Sequence, residues 1–362
     1  MSKARELANL GNAYSDGALS NRNRIINGAM VIDQRNAGAS VATSSGNNLY
    51  SLDRWQTIYS QTSKFTIQQN AGSVTPPAGF VNYLGVTSSS AYTVGSSESF
   101  VLRQPIEGNN VADLGWGTSD AKTVTLSFKV RSSLTGTFGG ALTNAAENRS
   151  YPFSYAISSA NTWTSVSVTI LGDTTGTWAA TNTTGIKLFL GLGVGTTYSG
   201  TAGAWAGTTY YSATGAASVV GTSGATFYLT GVQLEIGDTS TPFEHRSYGD
   251  ELLRCQRYYY SEYISTQNGN IVLVQDRTSS VYYGTLFFPV EMRTGPTVTS
   301  TGVDRLHKPA IRYDTIASGP NFNQANVNSV YIYAGATVAD SASTVAILGA
   351  SSGGTIQADA EL

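Results

Sequence analysis

The chain has 362 residues and a mass of 38.1 kDa, which gives room for about two domains at ~100 to 200 residues each. Charged residues make up 12% of it, against ~25% in ordinary soluble proteins, while glycine is abundant at 39 residues and aromatics reach 10%. With 21 Lys and Arg against 23 Asp and Glu, the net charge of -2 leaves no basic footprint for nucleic acid or an anionic membrane. Low charge, many small hydroxyl side chains and the aromatic content together exclude an acidic disordered chain and an ordinary helix-rich cytosolic enzyme, and the near-neutral net charge does little to keep copies of the chain apart.

Cysteine and histidine chemistry is thin. Cys255 is the single cysteine, so no intrachain disulfide and no Cys-based zinc site can form. His245 and His307 are too few for a multi-histidine metal centre, and neither lies in an HExxH spacing. No metal and no cofactor are expected. No run approaches the ~18 to 20 apolar residues of a membrane span, and the first 23 residues lack an apolar signal core, so synthesis in a cytoplasm without membrane insertion is expected.

In chain order, Ser2 to Leu10 spaces Ala4, Leu7 and Leu10 on one face and predicts a short helix, too short to persist without a neighbour. Asn9 to Asn23 reads as a linker, so residues 1–23 form either an attachment segment or a frayed terminus. From Arg24 onward the period is two. Val124, Leu126, Phe128 and Val130 share a strand face, as do Val166, Val168 and Ile170, and as do Ile186, Leu188, Leu190, Leu192 and Val194. Between Phe227, Leu229 and Val232, Leu234, Ile236 the phase slips by one residue, which predicts a β-bulge at Gly231. Trp55 and Trp163 open apolar strands and are expected in the core. Many short strands between Gly, Ser, Thr and Asn turns predict a sandwich or jelly roll over residues 24–247. Asp250, Glu251, Leu252, Leu253 and Gln256 predict one or two helical turns at a junction. Strands around 270–277, 280–288, 310–316, 329–335 and 354–362 then predict a smaller antiparallel β-sandwich, over 248–362.

Catalytic motifs fail on context. Gly349-Ala350-Ser351-Ser352-Gly353 matches G-x-S-x-G, but a strand follows it where a nucleophile elbow needs a helix, no later histidine exists, and a β-turn is expected there. Gly191 to Gly195 is a poor phosphate loop for want of a following helix, and its glycines are expected to allow close strand packing. Asp53, Glu98, Glu107, Asp113, Glu235 and Glu244 could be paired as glycosidase carboxylates only with distances that a sequence does not give. For Asp53 and Glu244 a structural role, accepting from turn backbone or pairing with Arg, is favoured. No catalytic residue is assigned.

Aromatic side chains carry more chemistry, because sugar C–H faces stack on indole and phenol rings. Trp116, Trp178 and Trp205 lie in polar Gly- and Thr-rich segments, with Tyr210 and Tyr211 close to the last. These five are the glycan-contact candidates; local packing or a subunit interface is the other reading of the three tryptophans. Tyr258, Tyr259, Tyr260 and Tyr263 form a second cluster at the junction, where consecutive tyrosines in a strand point to both faces.

Several words now resemble a known family. Asn23-Arg24-Ile25-Ile26-Asn27-Gly28 with Asp33-Gln34-Arg35, then Asp53-Arg54-Trp55, Gly231 to Gly237 leading to Thr241-Pro242-Phe243-Glu244, the segment Glu251 to Tyr259 and the terminal Asp359-Ala360-Glu361-Leu362 are similar to tail fibre proteins of tailed bacteriophages. The resemblance covers nearly the whole chain. It implies a jelly roll like those of carbohydrate-binding modules and a homotrimeric virion protein. Other virion proteins would hold it through the N-terminal segment, with Ala4, Leu7 and Leu10 as attachment candidates, and its β domains would meet a host surface polysaccharide or other receptor. The chain departs from that family in having only about 23 residues before the jelly roll in place of a large baseplate-binding domain. A structural virion component, such as a head fibre or decoration protein, and an enzymatic tailspike are the alternatives to a non-enzymatic tail fibre.

Overall fold

The computed structural model describes residues 3, 21–43, 48–264, 271–275, 280–308, 312–337 and 345–362. Ala4, Leu7 and Leu10 lie outside the described residues. Two compact units divide the chain between Glu251 and Leu252, with Leu362 grouped with the first.

The first unit is a jelly-roll sandwich of two six-stranded antiparallel sheets. One sheet runs Val41–Ala42, Phe65–Gln69, Leu84–Ser88, Thr226–Ile236, Val124–Ser132, Thr164–Ile170. The other runs Asn48–Leu52, Trp55–Tyr59, Ser99–Glu107, Thr184–Val194, Gly136–Asn144, Ser150–Ile157. In each sheet a late strand, Thr226–Ile236 or Thr184–Val194, inserts between two earlier ones, the interleaving that makes a jelly roll. Alternation turns one face of each sheet inward: Val124, Leu126, Phe128 and Val130 meet Leu102, Leu188 and Leu190 across the core. Fully burying each such side chain contributes ~1.5 to 3 kcal/mol, and this burial is the main favourable term. Trp55 lies fully buried in that core. Trp163 does not: it is half-buried on the outer side of the first sheet, packed at 5.7 Å on Tyr83, its Nε1 donating to the Thr75 carbonyl. An indole N–H needs a partner, and the loop carbonyl outside the sandwich supplies it.

The bulge sits where the phase slips. Thr230 pairs with Lys129 and Gln233 with Ser127, so the strand Thr226–Ile236 carries one extra residue there. Gly231 takes φ +62°, and a Cβ on it would fall 2.6 Å from the Phe80 ring. Another slip, absent from the simple alternation, occurs between Gly191 and Gly193. Val194 therefore pairs with Ser99 and is only half-buried, off the leucine face on which period two had placed it. Close strand packing accounts for these glycines: a Cβ on Gly195 would lie 2.1 Å from the Gly95 carbonyl oxygen.

The words that resemble the fibre family converge on the closure of this sandwich. Asn27 has φ 57°, and its side chain donates to the carbonyls of Ile32 and Asp53 while accepting from the Ile32 N–H. Its own carbonyl accepts from Trp55 Nε1 and its N–H donates to Glu251 at 2.6 Å. Asn23 reaches the last strand of the unit, donating to the Val232 carbonyl and accepting from the Leu234 N–H. The helix Tyr248–Gln256 follows, capped by Ser247, whose Oγ accepts from the Asp250 N–H and donates to the Asp250 carboxylate.

The second unit is one closed sheet. Its order is Tyr259–Ile264, Val345–Asp359, Val272–Gln275, Val281–Phe287, Ser329–Ala336, Arg312–Asn323, Thr297–Lys308, and the last strand pairs back onto Val345–Asp359. Closure lets one sheet supply both facing layers of the expected sandwich, around Tyr282, Leu286, Leu306, Ile332, Leu348 and Ile356. The strand Thr297–Lys308 was not expected from the sequence. Gly349 to Gly353 is no turn either: it lies inside Val345–Asp359, where pairing jumps from Ala350 opposite Val303 to Thr355 opposite Thr301. The extra residues bulge, and Ser351 donates its Oγ and N–H to Asp304. Tyr258, Tyr259 and Tyr260 are buried, whereas Tyr263 is 60% exposed.

Candidate functional site

The three candidate tryptophans meet at one end of the jelly roll. Trp116 and Trp178 lie 4.8 Å apart, Trp116 and Trp205 5.3 Å, and Trp178 and Trp205 5.4 Å, each pair edge-to-face. Tyr151 adds a fourth ring at 5.2 Å from Trp205. Every indole N–H is satisfied locally: Trp116 donates to the Lys122 carbonyl, Trp205 to the Leu171 carbonyl, and Trp178 to the Thr175 carbonyl and Asp173. Arg149 grips Asp173 through two parallel hydrogen bonds of 2.9 and 2.5 Å and lies 5.9 Å from the Trp205 ring. Burial pushes the Asp173 carboxyl up, but Arg149 and Thr175 outweigh it and hold it below the ordinary carboxylate range. Trp116 is only 7% exposed, and the cavity beside Trp116 and Trp178 holds about 50 Å³. The ring faces are taken up largely by one another, which gives the cluster rigidity and little open platform.

Tyr211 belongs to a different constellation, on the outer face of the second sheet. Strand register places Tyr50 opposite Gln56, Gln56 opposite Arg103, Arg103 opposite Phe189 and Phe189 opposite Ala141. This row crosses five strands with the leucine core behind it. Arg103 donates Nε to Gln56 Oε1 at 2.7 Å, and its Nη2 makes a second, shorter bond to the same oxygen. Lys187 stands one row away, opposite Pro105 and Thr143. Glu147, in left-handed conformation at φ 58°, leans over the face from the turn between Gly136–Asn144 and Ser150–Ile157. Its Oε1 is 2.6 Å from Lys187 Nζ and 3.7 Å from Arg103 Nη1, and its Oε2 accepts from the Tyr211 hydroxyl at 2.6 Å.

Aromatic rings frame these charges. Tyr211 packs at 4.6 Å on Phe189 and stacks at 5.1 Å on Tyr198, while Arg35 covers the Tyr50 ring at 4.9 Å. Burial lowers the Arg103 guanidinium below its usual range against the pull of Tyr50, Glu147 and Tyr211. Burial and the Glu147 hydrogen bond push the Tyr211 phenol well up, so it stays a neutral donor. Tyr210 is half-buried and packs its ring against Gly200. The loop from Trp205 to Tyr211 is tied to the Glu147 turn by Thr209 Oγ1 donating to the Glu147 carbonyl and Ser150 Oγ donating to the Thr208 carbonyl. Loop and turn thus join the tryptophan cluster to the charged face.

This face offers amide, guanidinium, ammonium, carboxylate and phenol groups within a wall of rings, with Glu147 hydrogen-bonded to Lys187 and Tyr211 and in a looser ion pair with Arg103, which itself bonds Gln56. Its carboxylate is committed to Lys187 and Tyr211, and it has no nucleophile next to a base. Among the described residues, no group of three or more His, Cys, Asp or Glu could hold a metal ion. Of the other candidate carboxylates, Asp53, Glu235 and Glu244 are engaged structurally. Asp53 is fully buried and accepts from Gln34 N and Nε2. Glu244 accepts from the N–H groups of Arg22 and Asn23 and pairs with Arg246. Glu235 accepts from Thr241.

Of the aromatic candidates, only Tyr211 belongs to the charged face. The aromatic and motif signals of the sequence do not mark Gln56, Arg103, Glu147, Lys187 or Phe189. For Lys187 and Phe189 a signal existed, since the period that sends Ile186, Leu188 and Leu190 inward sends these two outward. Arg103 and Glu147 come from distant segments, and only the register brings them together.

No protein-family model matches the chain, and no curated protein matches it. Solved structures do. A family 4 carbohydrate-binding module matches at 14% identity over 58% of this chain and 98% of its own, with a TM-score of 0.29. A protein of Bacteroides thetaiotaomicron, provisionally assigned as sugar binding, matches at 12% identity over 59% of this chain and all of its own, with a TM-score of 0.33. The enzymatically active domain of tailspike protein 4 of bacteriophage CBA120 matches at 10% identity over 54% of this chain and 22% of its own, with a TM-score of 0.29. At such scores the likeness adds nothing to a functional argument, which rests on the side chains.

Proposed function

We propose that this chain is a non-enzymatic tail fibre of a tailed bacteriophage that binds a glycan on the host surface during adsorption. The observation that carries the reading is the outer sheet face on which Glu147 hydrogen-bonds Lys187 and the Tyr211 hydroxyl and ion-pairs with Arg103, inside a frame of Phe189, Tyr198 and Tyr50. Vicinal sugar hydroxyls both donate and accept, so they can bridge a carboxylate and a neighbouring cation, while sugar C–H faces lie on phenol rings. A rigid sheet presents these groups, and the cost of ordering them is met on folding. The tail-fibre assignment draws on the sequence words, which also support a homotrimer held to the virion through Ala4, Leu7 and Leu10. Three modest sites on one fibre would raise apparent affinity ~100-fold or more without new contacts.

The test is adsorption of the labelled, purified chain to host cells. Binding is expected on intact cells and is expected to vanish once periodate has destroyed surface sugars, with no reducing ends released from the polysaccharide. Equal binding before and after periodate would contradict a glycan receptor, and released reducing ends would make the protein an enzymatic tailspike. No binding to cells together with antibody labelling of the capsid would instead favour a structural virion component.

A further inference from the structure

The outer face of the other sheet carries a groove with different chemistry. Strands Val124–Ser132 and Thr164–Ile170 form its floor, with Ser127 and Lys129 directly opposite Ser167 and Ser165. The segment around Thr241 and Phe243 and the ring of Phe80 form its wall, enclosing about 210 Å³, room for one pyranose ring. Phe80 and Phe243 meet at 5.1 Å, close to edge-on. Phe80 reaches that place because Gly231 has no side chain to occupy it, so the bulge shapes the groove. Thr241 is fixed by its Oγ1 and N–H, both donating to Glu235. Lys129 donates to Ser165 Oγ at 2.6 Å, and its ammonium meets no carboxylate among the described residues, unlike Lys187 on the opposite face.

We propose that this groove is a second binding site, for a single acidic sugar residue such as a uronate, with the carboxylate on Lys129 and the ring against Phe80 and Phe243. A cation without a counter-charge, set among serine hydroxyls and beside two phenyl rings, suits a ligand that is anionic at one end and has apolar C–H faces at the other. A neutral sugar would leave Lys129 uncompensated, and a simple anion would leave the rings unused. The proposal shares the carbohydrate reading of the protein but needs none of the residues on the Arg103 face.

Saturation-transfer NMR on the full chain with D-glucuronate and D-glucose, which differ only in oxidation at C6, tests it. Glucuronate should give the stronger ring-proton signal, reduced about fivefold or more in Lys129→Gln and in Phe243→Ala. The signal should weaken with added salt and be unchanged in Lys122→Gln, an exposed lysine elsewhere. Melting temperatures close to wild type confirm that the variants fold, and Lys129→Gln, on the solvent side of its strand, carries the decision if Phe243→Ala does not. No glucuronate signal, equal signals for the two sugars, or a glucuronate signal indifferent to Lys129→Gln would each overturn the proposal. If any of these is found while host-cell adsorption remains sensitive to periodate, the groove fails and the glycan-receptor reading stands.

Discussion

Asn27 shows how much of this fold rests on single polar side chains. Its amide makes three hydrogen bonds, to both ends of Ile32 and across to the Asp53 carbonyl, in a left-handed conformation that asparagine tolerates better than alanine. Replacing it by alanine strands buried donors and acceptors at several points of the closure. Asn27→Ala should cost ~2 to 4 kcal/mol in denaturant unfolding, and a loss under ~1 kcal/mol would mean that the closure does not depend on it. Two carboxylates held by close partners predict acid sensitivity. In Asp173 and Glu244 burial pushes the folded pKa up, but the partners win: Arg149 and Thr175 for the first, the Asn23 N–H and Arg246 for the second, so both end below their ordinary values. A depressed folded pKa contributes stability that is complete above the unfolded value and is lost as pH falls through the folded one. Melting temperature should therefore hold from neutrality to about pH 5 and fall below about pH 4. A melting temperature that rises below pH 4 would contradict these pairings.

Elements were legible where side chains alternate and opaque where they do not. The strands around Val124 and Ile186 announce themselves by period two, and a single slip in that period locates the bulge at Gly231. Gly136–Asn144 and Thr297–Lys308 give little such signal, because glycines in the first and threonines and serines in the second replace the apolar partners that alternation needs. They become strands through pairing with Thr184–Val194 and Val345–Asp359. The candidate site has the same split: Tyr211 was visible as an aromatic in a polar loop, whereas Arg103 and Glu147 acquire meaning only from register. Gly231→Ala tests the bulge directly. A side chain there must adopt φ +62° and displace the Phe80 ring, so a loss of ~1 to 3 kcal/mol is expected. A neutral effect on thermal unfolding would show that the strand can repair its register without the bulge.

For the whole molecule, low charge and abundant Gly, Ser and Thr follow from the architecture: tight turns between short strands, and polar uncharged surfaces that do not repel copies. The sequence words resembling fibre proteins include the residues that close the jelly roll, so they report the fold more directly than the ligand. A homotrimer is expected, and sedimentation equilibrium should give three times the 38.1 kDa of one chain. A single-chain mass at micromolar concentration would contradict it. The central claim is that the sheet face around Arg103, Glu147 and Tyr211 binds sugar. Its most direct measurement is a glycan array probed with the wild type and with Arg103→Gln and Tyr211→Ala. One family of host-surface glycans should bind the wild type and be weakened about tenfold or more in both variants; unchanged glycan binding by two folded variants would contradict it.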